Sequence, residues 1–170
     1  DEKMVDRIDN IVKGLRSFSR DGSRDPMQSV YAHQVIDDTL SFCKEKFYKD
    51  NISISVENFD KEISFYGQAT QISQVLLNLL NNSYDALLKK PEKWIKISAV
   101  EKKDFIEIRV MDAGHGISPE IESKIFQPFF TTKEIGKGTG LGLSISSGII
   151  QSHKGTIGID KTCANTCFVL

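Results

Sequence analysis

The stretch Asp112-Ala-Gly114-His-Gly116-Ile117 follows the alternating apolar residues Ile106, Ile108 and Val110. That alternation predicts a strand that delivers the Asp112 carboxylate at its end. A carboxylate there can accept a hydrogen bond from the exocyclic amine of a ring, and the two glycines let a flat ring approach the backbone. Taken alone, the same residue types are also typical of an ordinary turn.

A second glycine cluster, Gly136-Lys-Gly-Thr-Gly-Leu-Gly-Leu143, precedes a predicted helix. Small residues at a helix N-terminus expose N–H groups that bind phosphate. The cluster has neither the G-x-G-x-x-G spacing of a dinucleotide site nor the G-x-x-x-x-G-K-[ST] pattern of a P-loop. Lys133 and Lys137 stand where they can reach phosphate oxygens. The alternative is that both lysines are simply solvated.

The third group is Asn78, Asn82 and Asp85, which share one stripe of a predicted leucine-rich helix. Buried amides need partners, and neutral oxygen ligands suit Mg²⁺, which also binds substrate phosphates. A solvated helix face is the alternative for this group alone. Together, the three groups predict a purine nucleotide site.

Periodicity predicts the elements that position these groups. We expect helices ending near Tyr48, over 68–90 and over 144–152, the last one stopped by Gly155. We expect strands at 27–31, 52–56, 63–65, 94–100, 105–111, 156–159 and 166–170. Adjacent antiparallel pairs combined with helices favour an α/β fold, a two-layer α/β sandwich in which helices cover one face of a single mixed sheet.

Residues 117–137 are predicted to form a long connection that contains Pro119, a short helix and the aromatic residues Phe126, Phe129 and Phe130. Connections of this length are usually functional. Aromatic residues beside glycine hinges indicate a lid that closes over a ligand or partner.

Residues 2–20 carry a heptad seam, Met4, Ile8, Ile11, Leu15 and Phe18. Two heptads are too short to be stable alone, so we interpret them as the end of a longer helix from a bundle or dimer. A helix packed on its own domain is the alternative. Residues 21–26 are predicted to be a linker, which divides the chain into segments 1–24 and 25–170.

The composition excludes several classes of function. The chain has 170 residues, 39% of them hydrophobic and 26% charged, with a net charge of −1. A net charge this close to zero does not favour binding to nucleic acid. No apolar run is long enough to span a membrane, so we expect a cytoplasmic segment without direct membrane contact; a membrane anchor elsewhere in a parent protein is compatible with this. Cys43, Cys163 and Cys167 are interpreted as small apolar core residues, and no zinc site is expected.

In this order, the motifs resemble the ATP-binding catalytic domain of bacterial sensor histidine kinases, which has the Bergerat fold. Residues 78–86 resemble the N box, 112–117 the G1 box, 125–133 the F box and 138–144 the G2 box. The resemblance covers roughly residues 27–170. Residues 2–20 further resemble the end of the second dimerisation helix.

The resemblance implies roles for individual residues. Asp112 would accept from the adenine amine, and Asn82 would bind Mg²⁺, with Asn78 reaching phosphate or metal. The other residues implied in ATP binding are Asp85, Ala86, Gly114, Gly116, Ile117, Phe130, Lys133, Lys137, Gly138, Thr139, Gly140, Leu141, Gly142, Leu143 and Thr166. Ala86 and Ile117 would flank the ring, residues 138–143 would wrap the phosphates, and Phe129 and Phe130 would belong to the lid.

Three positions depart from the family pattern. Ser83 replaces the usual alanine, and Asp85 stands where many relatives carry a basic phosphate contact. Lys133 or Lys137 would substitute for that contact. Ala164-Asn165 stand where a glycine-bearing turn is common, so the shape of this last turn differs from the pattern.

The resemblance implies transfer of the ATP γ-phosphate to a histidine on a dimerisation domain, which then signals to a response regulator. None of His33, His115 and His153 is followed by an acidic residue, as the family's acceptor histidine is. We therefore expect the acceptor upstream of residue 1, in a homodimeric full-length protein. Alone, this segment would bind ATP and Mg²⁺ but autophosphorylate little or not at all.

Two alternatives remain. One is an ATP hydrolase of the same fold, although such enzymes carry a glutamate general base at the position of Asn78. The other is a non-catalytic module that binds nucleotide and docks a partner.

Overall fold

The computed structural model describes Val5 and residues 22–170. The heptad helix predicted over 2–20, and its assignment to a dimerisation bundle, lie outside these residues apart from Val5. The predicted linker is partly described, and it contains a 3-10 turn, Gly22–Arg24. The Gln68 side-chain amide donates hydrogen bonds to the Ser23 and Asp25 carbonyls, at 3.0 and 2.6 Å, so this part of the linker is tied to the domain.

The described elements follow the predicted order, with ends that differ by a few residues. The strands are β1 (Gln28–Tyr31), β2 (Ser53–Val56), β3 (Ser64–Gly67), β4 (Trp94–Glu101), β5 (Ile106–Asp112), β6 (Gly158–Ile159) and β7 (Thr166–Val169). The helices are α1 (Ala32–Lys49), α2 (Ala69–Leu87), α3 (Pro119–Glu122) and α4 (Gly142–Ser152).

The main sheet is mixed, with the strand order β2-β4-β5-β7-β6. Strands β2 and β4 pair in parallel, and the other pairs are antiparallel. The expectation of a single sheet is wrong, because β1 and β3 pair with each other in a separate two-stranded sheet. Each of these strands leads almost directly into a helix, β1 into α1 and β3 into α2, which places the pair beside the helices and not in the main sheet.

The core lies between the helices and the main sheet. Alternate residues of β4 and β5 are buried, among them Ile95, Ile97, Ile108 and Val110. The predicted apolar face of α2 meets them, since Ile72, Val75, Leu76, Leu79 and Leu80 are all buried. The predicted α/β sandwich is therefore confirmed, and the buried stripe of α2 fixes the orientation of its amide-bearing stripe.

The end of α4 differs from the prediction. The residue with the left-handed conformation is Lys154, with φ of 60°, and not Gly155. The preceding residue, His153, is the C-cap of α4, and its Nε2 accepts a hydrogen bond of 3.0 Å from the backbone N–H of Gln68, the N-cap of α2. The bond joins two helix ends, so His153 has a structural role in the fold.

Three findings concern the wider chemistry of the described residues. All three cysteines are free thiols, and Cys43 and Cys167 are buried. These residues contain no cluster of three histidine, cysteine or acidic side chains able to hold a metal. None of the described helices is both long and apolar enough to cross a membrane.

Gly148→Ala should stabilise the fold. Gly148 is an exposed residue inside α4, and a Cβ built there meets no atom within 4 Å. Alanine is better than glycine in a helix interior by about 0.8–1 kcal/mol, so we expect a gain of that size in the free energy of unfolding. Urea denaturation checks this, and an unchanged or lower value would show that α4 is not a regular helix at this position.

Candidate nucleotide-binding site

A cavity of about 640 Å³ brings the three predicted groups together. It lies between α2, the end of β5, the connection from β5 to α4 (residues 113–141, called the β5–α4 segment below) and the start of α4. The predicted residues that line it are Asn78, Asn82, Ala86, Asp112, Gly114, Gly116, Ile117, Phe130, Lys133, Gly138, Thr139, Gly140, Gly142, Leu143 and Thr166.

Three residues of the predicted set do not line the cavity. Lys137 is largely exposed and pairs with Glu134, 2.6 Å away. Leu141 is the N-cap residue of α4. Asp85 forms an ion pair with Lys133 at the edge of the cavity. Of the two lysines proposed to reach phosphates, only Lys133 is therefore placed at the cavity.

The cavity also has walls that the site prediction omitted. They are Asn81, Ser83, Lys90, His115, Ser118, Ile121, Ile125, Thr131, Thr132 and Phe168. Ile121 and Ile125 are four residues apart around α3, a spacing that indicates one helical face. Phe168 lies two residues after Thr166 on β7, so the period of a strand places both side chains on the same face.

Asp112 lines the cavity and is only 3% exposed. Its Oδ1 accepts a hydrogen bond of 2.8 Å from the backbone N–H of Gly114. Burial raises the pKa of this carboxyl group, and hydrogen bonds from the Ser83 hydroxyl and the Gly114 N–H lower it in part. A buried acceptor with a single backbone donor on one oxygen can take a further donor from a ligand.

Asp112→Asn should stabilise the nucleotide-free protein at pH 7. The pKa of Asp112 is higher in the folded state than in the unfolded state. The free energy of unfolding therefore falls as the pH rises from the unfolded-state pKa to the folded-state pKa, because the buried carboxyl group has to ionise. Asparagine removes that cost, and its oxygen can still accept from Gly114. We expect the variant to have the higher free energy of unfolding at pH 7 and an advantage that disappears near pH 3, below the ordinary pKa of about 3.9.

Urea denaturation at both pH values measures this difference. Asp104→Asn, in the exposed turn at the other end of β5, is the matched control and should change little at either pH. A variant less stable than the unmodified protein at pH 7 would mean that the ionised carboxylate is stabilising where it stands.

Gly114 is required by close packing around Asp112. A Cβ at Gly114 would lie 2.6 Å from Thr166 Oγ1 and 2.7 Å from Asp112 Oδ1. Thr166 Oγ1 accepts a hydrogen bond of 3.0 Å from the Gly116 N–H, and the Asn165 side-chain amide donates to the Gly114 carbonyl at 3.2 Å. Asn165, which departs from the family pattern, thus holds the glycine turn against β7.

Asn78 and Asn82, two half-buried amides of α2, both have hydrogen-bond partners. Asn78 Nδ2 donates a hydrogen bond of 2.8 Å to Ser146 Oγ of α4. A Cβ at Gly142 would lie 2.7 Å from the same Nδ2, so glycine at the start of α4 permits this approach. Asn82 Oδ1 accepts from the Lys133 ammonium at 3.5 Å. This oxygen therefore faces a cation.

The glycine cluster forms a bend that is closed by the β5–α4 segment itself. The Phe129 N–H donates a hydrogen bond of 2.8 Å to the Gly140 carbonyl. Gly140 has φ of +68° and Phe129 has φ of 66°. Phe130 lines the cavity, whereas the Phe129 side chain is 71% exposed. The two phenylalanines predicted to act together in a lid thus face different surroundings.

The start of α4 forms part of the cavity wall. Gly142 and Leu143, its first residues, line the cavity. The first N–H groups of a helix have no partner within the helix, and the helix dipole favours an anion at this end. The Lys133 ammonium lies at the same cavity. One cavity therefore combines a buried carboxylate with a lysine and a helix N-terminus, two groups that favour an anion.

The comparisons with known proteins agree with this geometry. Residues 67–170 match the family described as histidine kinase-, DNA gyrase B- and HSP90-like ATPase, and the chain belongs to that family. Within it, the chain is homologous to bacterial sensor histidine kinases, which confirms the resemblance noted from the motifs.

Two curated relatives illustrate the homology. The two-component sensor PprA of Pseudomonas aeruginosa is 34% identical over 162 residues, which cover 92% of this chain and 17% of PprA. The signal transduction histidine-protein kinase AtoS of Escherichia coli is 32% identical over 157 residues, which cover 91% of this chain and 25% of AtoS. The chain thus spans a quarter or less of the length of these relatives.

Solved structures of the histidine kinase ThkA share the fold. The nucleotide-free catalytic domain of ThkA aligns with a TM-score of 0.74 at 31% identity, covering 85% of this chain and 93% of that domain. A longer ThkA chain, solved in complex with the response regulator protein TrrA, aligns at 26% identity and the same TM-score; the alignment covers 98% of this chain and 47% of that one.

Proposed function

We propose that this chain binds ATP with Mg²⁺ in the cavity and presents the γ-phosphate to a histidine on a dimerisation domain of its parent protein. The observation that carries the proposal is one cavity lined by the buried Asp112 carboxylate together with Lys133 and the glycine-rich start of α4. Family membership supports ATP as the nucleotide.

The shape and polarity of the cavity suit ATP from end to end. Its volume of about 640 Å³ is within the ordinary range for small-molecule sites, about 300–1,000 Å³. Asp112 accepts from the adenine amine, and the Gly114 and Gly116 backbone leaves room for the ring between Ala86 and Ile117. At the other end, Gly138, Thr139 and Gly140 surround the phosphates, and Lys133 offsets their charge.

Mg²⁺ is proposed to bind at Asn82, with Asn78 next to it. The donor chemistry fits, because the Asn82 oxygen already faces the ammonium of Lys133 in the structure. Neutral amide oxygens together with phosphate oxygens and water make a usual Mg²⁺ environment. Bound Mg²⁺ would supply charge neutralisation at the phosphates, while the residues of the cavity position the γ-phosphate for transfer.

The acceptor histidine is proposed to lie in another domain. Of the described histidines, His33 Nδ1 is 3.1 Å from the Lys61 carbonyl, and His153 is held by Gln68. His115 lines the cavity beside Gly116, where the proposed adenine would lie. The proposed partners are the dimerisation and phosphotransfer domain of a homodimeric, cytoplasmic kinase region and a response regulator. The ThkA complex with a response regulator supports the last of these.

Hydrolysis of ATP by a general base is disfavoured. Among the described residues that line the cavity, Asp112 is the only carboxylate, and it lies at the end proposed for the base. Asn78, at the position where related hydrolases carry a glutamate, donates its amide to Ser146. The Asp85 carboxylate at the edge of the cavity is paired with Lys133, so it is not placed as a free base that could activate water beside the proposed γ-phosphate.

A transfer experiment tests the proposal. The chain would be incubated with γ-labelled ATP, Mg²⁺ and the separately expressed dimerisation domain of its parent. We expect acid-labile label on a histidine of the added domain, and none when Asn82→Ala replaces the unmodified chain. Nucleotide binding without transfer would indicate a sensing or docking module, and released phosphate without labelled protein would indicate a hydrolase.

A further inference from the structure

An ion pair joins the β5–α4 segment to α2 at the edge of the cavity. The Lys133 ammonium pairs with the Asp85 carboxylate, and it also lies 3.5 Å from Asn82 Oδ1. Asp85 and Asn82 are three residues apart on α2 and therefore lie on one stripe of the helix. One cation thus bridges a charged and a neutral oxygen of α2.

A second lysine of this segment forms a salt bridge with a different geometry. Lys137 pairs with Glu134, three residues before it, and both side chains are about two-thirds exposed. That contact stays within the segment, whereas the Lys133 side chain is 33% exposed and reaches a residue 48 positions earlier in the chain. The position of the Lys133 side chain therefore depends on its contact with α2, whereas that of Lys137 depends on a neighbour within the segment.

We propose that Asp85 is a positioning residue that holds Lys133 against the oxygen of Asn82 while the cavity has no nucleotide. This inference rests on the proposed function, in which Asn82 binds Mg²⁺ and Lys133 contacts phosphate. The ammonium then occupies the side of Asn82 that the metal would take. In the nucleotide-bound protein, Asn82 would hold Mg²⁺ and Lys133 would leave Asp85 for the phosphates.

The charges explain why the exchange needs the metal and the nucleotide together. Mg²⁺ loses its water reluctantly and binds proteins mainly alongside phosphates, so the free ion does not displace the ammonium. Metal-free nucleotide can attract Lys133 only by breaking its pair with Asp85, and it brings no cation to replace the ammonium at Asn82. Asp85 therefore disfavours metal-free nucleotide and keeps the β5–α4 segment on α2 in the nucleotide-free protein.

The first test uses protein without nucleotide. Backbone ¹⁵N heteronuclear NOE values report motion of residues 131–139 on the picosecond to nanosecond timescale. Asp85→Asn and Lys133→Met should each lower these values, and the double variant should lower them no further. Glu134→Gln and Lys137→Met, which remove the local pair, should leave residues 131–133 unchanged. Unchanged values in Asp85→Asn would overturn the proposal.

The second test measures nucleotide affinity without Mg²⁺, by calorimetric titration of a non-hydrolysable ATP analogue in the presence of EDTA. Asp85→Asn should tighten binding roughly three- to fivefold, the range of a partly exposed ion pair. In the Lys133→Met background the same substitution should give no gain. An equal gain in both backgrounds would mean that Asp85 acts on the phosphates by repulsion alone, and would overturn the proposal.

The two tests separate this inference from the proposed function. If the unmodified chain binds no nucleotide with or without Mg²⁺, the proposed function fails, and the NOE values still decide whether Asp85 holds Lys133. If nucleotide binds and the NOE values do not respond to Asp85→Asn, the proposed function stands and the positioning role of Asp85 is wrong.

Discussion

Asp112→Asn should weaken ATP binding by about 10- to 100-fold, since a hydrogen bond to a charged group contributes about 1.5–3 kcal/mol. The carboxylate is buried in the wall of the cavity, and one of its oxygens accepts a hydrogen bond from the Gly114 N–H. An asparagine amide donates where the adenine amine must also donate, so the two groups cannot both be satisfied. Calorimetric titration with Mg²⁺ and ATP measures the loss.

The nucleotide ITP provides the sharper control, because its base carries an oxygen where adenine carries the amine. The asparagine amide can donate to that oxygen, so the substitution should reduce or reverse the preference for ATP over ITP. Asp104→Asn, in the exposed turn between β4 and β5, should leave both affinities unchanged. If the affinities for ATP and ITP fell equally, Asp112 would not form a hydrogen bond that distinguishes the two bases.

Gly140→Ala should weaken nucleotide binding by tenfold or more while the domain stays folded. A Cβ at Gly140 would overlap the Phe129 backbone, and φ of +68° adds about 1–2 kcal/mol for a residue other than glycine. The backbone bend that places Gly138 and Thr139 at the cavity must therefore change its conformation in this variant. Because the clash lies in the β5–α4 segment and outside the core of α2 and the main sheet, thermal unfolding should change little.

Gly136→Ala separates conformational strain from the clash. Gly136 also has a positive φ, of 89°, but a Cβ there meets no atom within 4 Å. This variant should bind nucleotide more tightly than Gly140→Ala, which suffers both effects. Equal losses in the two variants would mean that backbone strain, and not the contact with Phe129, explains the requirement for glycine at 140.

Much of the fold follows from local sequence patterns. The alternation of Ile95, Ile97 and Ala99 predicts the buried face of β4, and the period of Ile72, Val75 and Leu79 predicts that of α2. The pairing of strands does not follow in the same way, because a strand pattern does not specify its neighbour. The separate β1–β3 sheet was missed for this reason, since it depends on where the helices place the two strands.

The turn after α4 shows a second limit of local reasoning. Gly155 was predicted to end the helix, because glycine is the usual residue in the left-handed conformation. The structure gives that conformation to Lys154 instead. The preceding residue, His153, is bonded to Gln68 of a distant helix, and this contact cannot be seen in the sequence of the turn.

The candidate site was predicted as three separate motifs, and the structure places them around one cavity. Residue type and spacing identified Asp112, Asn82 and the glycine cluster. The ion pair between Asp85 and Lys133 was not predicted, because the two residues are 48 positions apart and are brought together by the path of the β5–α4 segment. Lys137 has the same residue type as Lys133, and only the structure shows that it turns to Glu134.

An NMR titration of the ¹⁵N-labelled chain with Mg²⁺ and ATP tests the central claim most directly. We predict that amide resonances shift on binding for residues that line the proposed base and phosphate regions of one cavity, namely Gly114, Gly116, Gly138, Thr139, Gly140, Gly142 and Leu143. We predict no shifts around the separate groove of about 350 Å³ near Tyr66 and Phe105. An absence of shifts, or shifts centred on that groove, would contradict the claim.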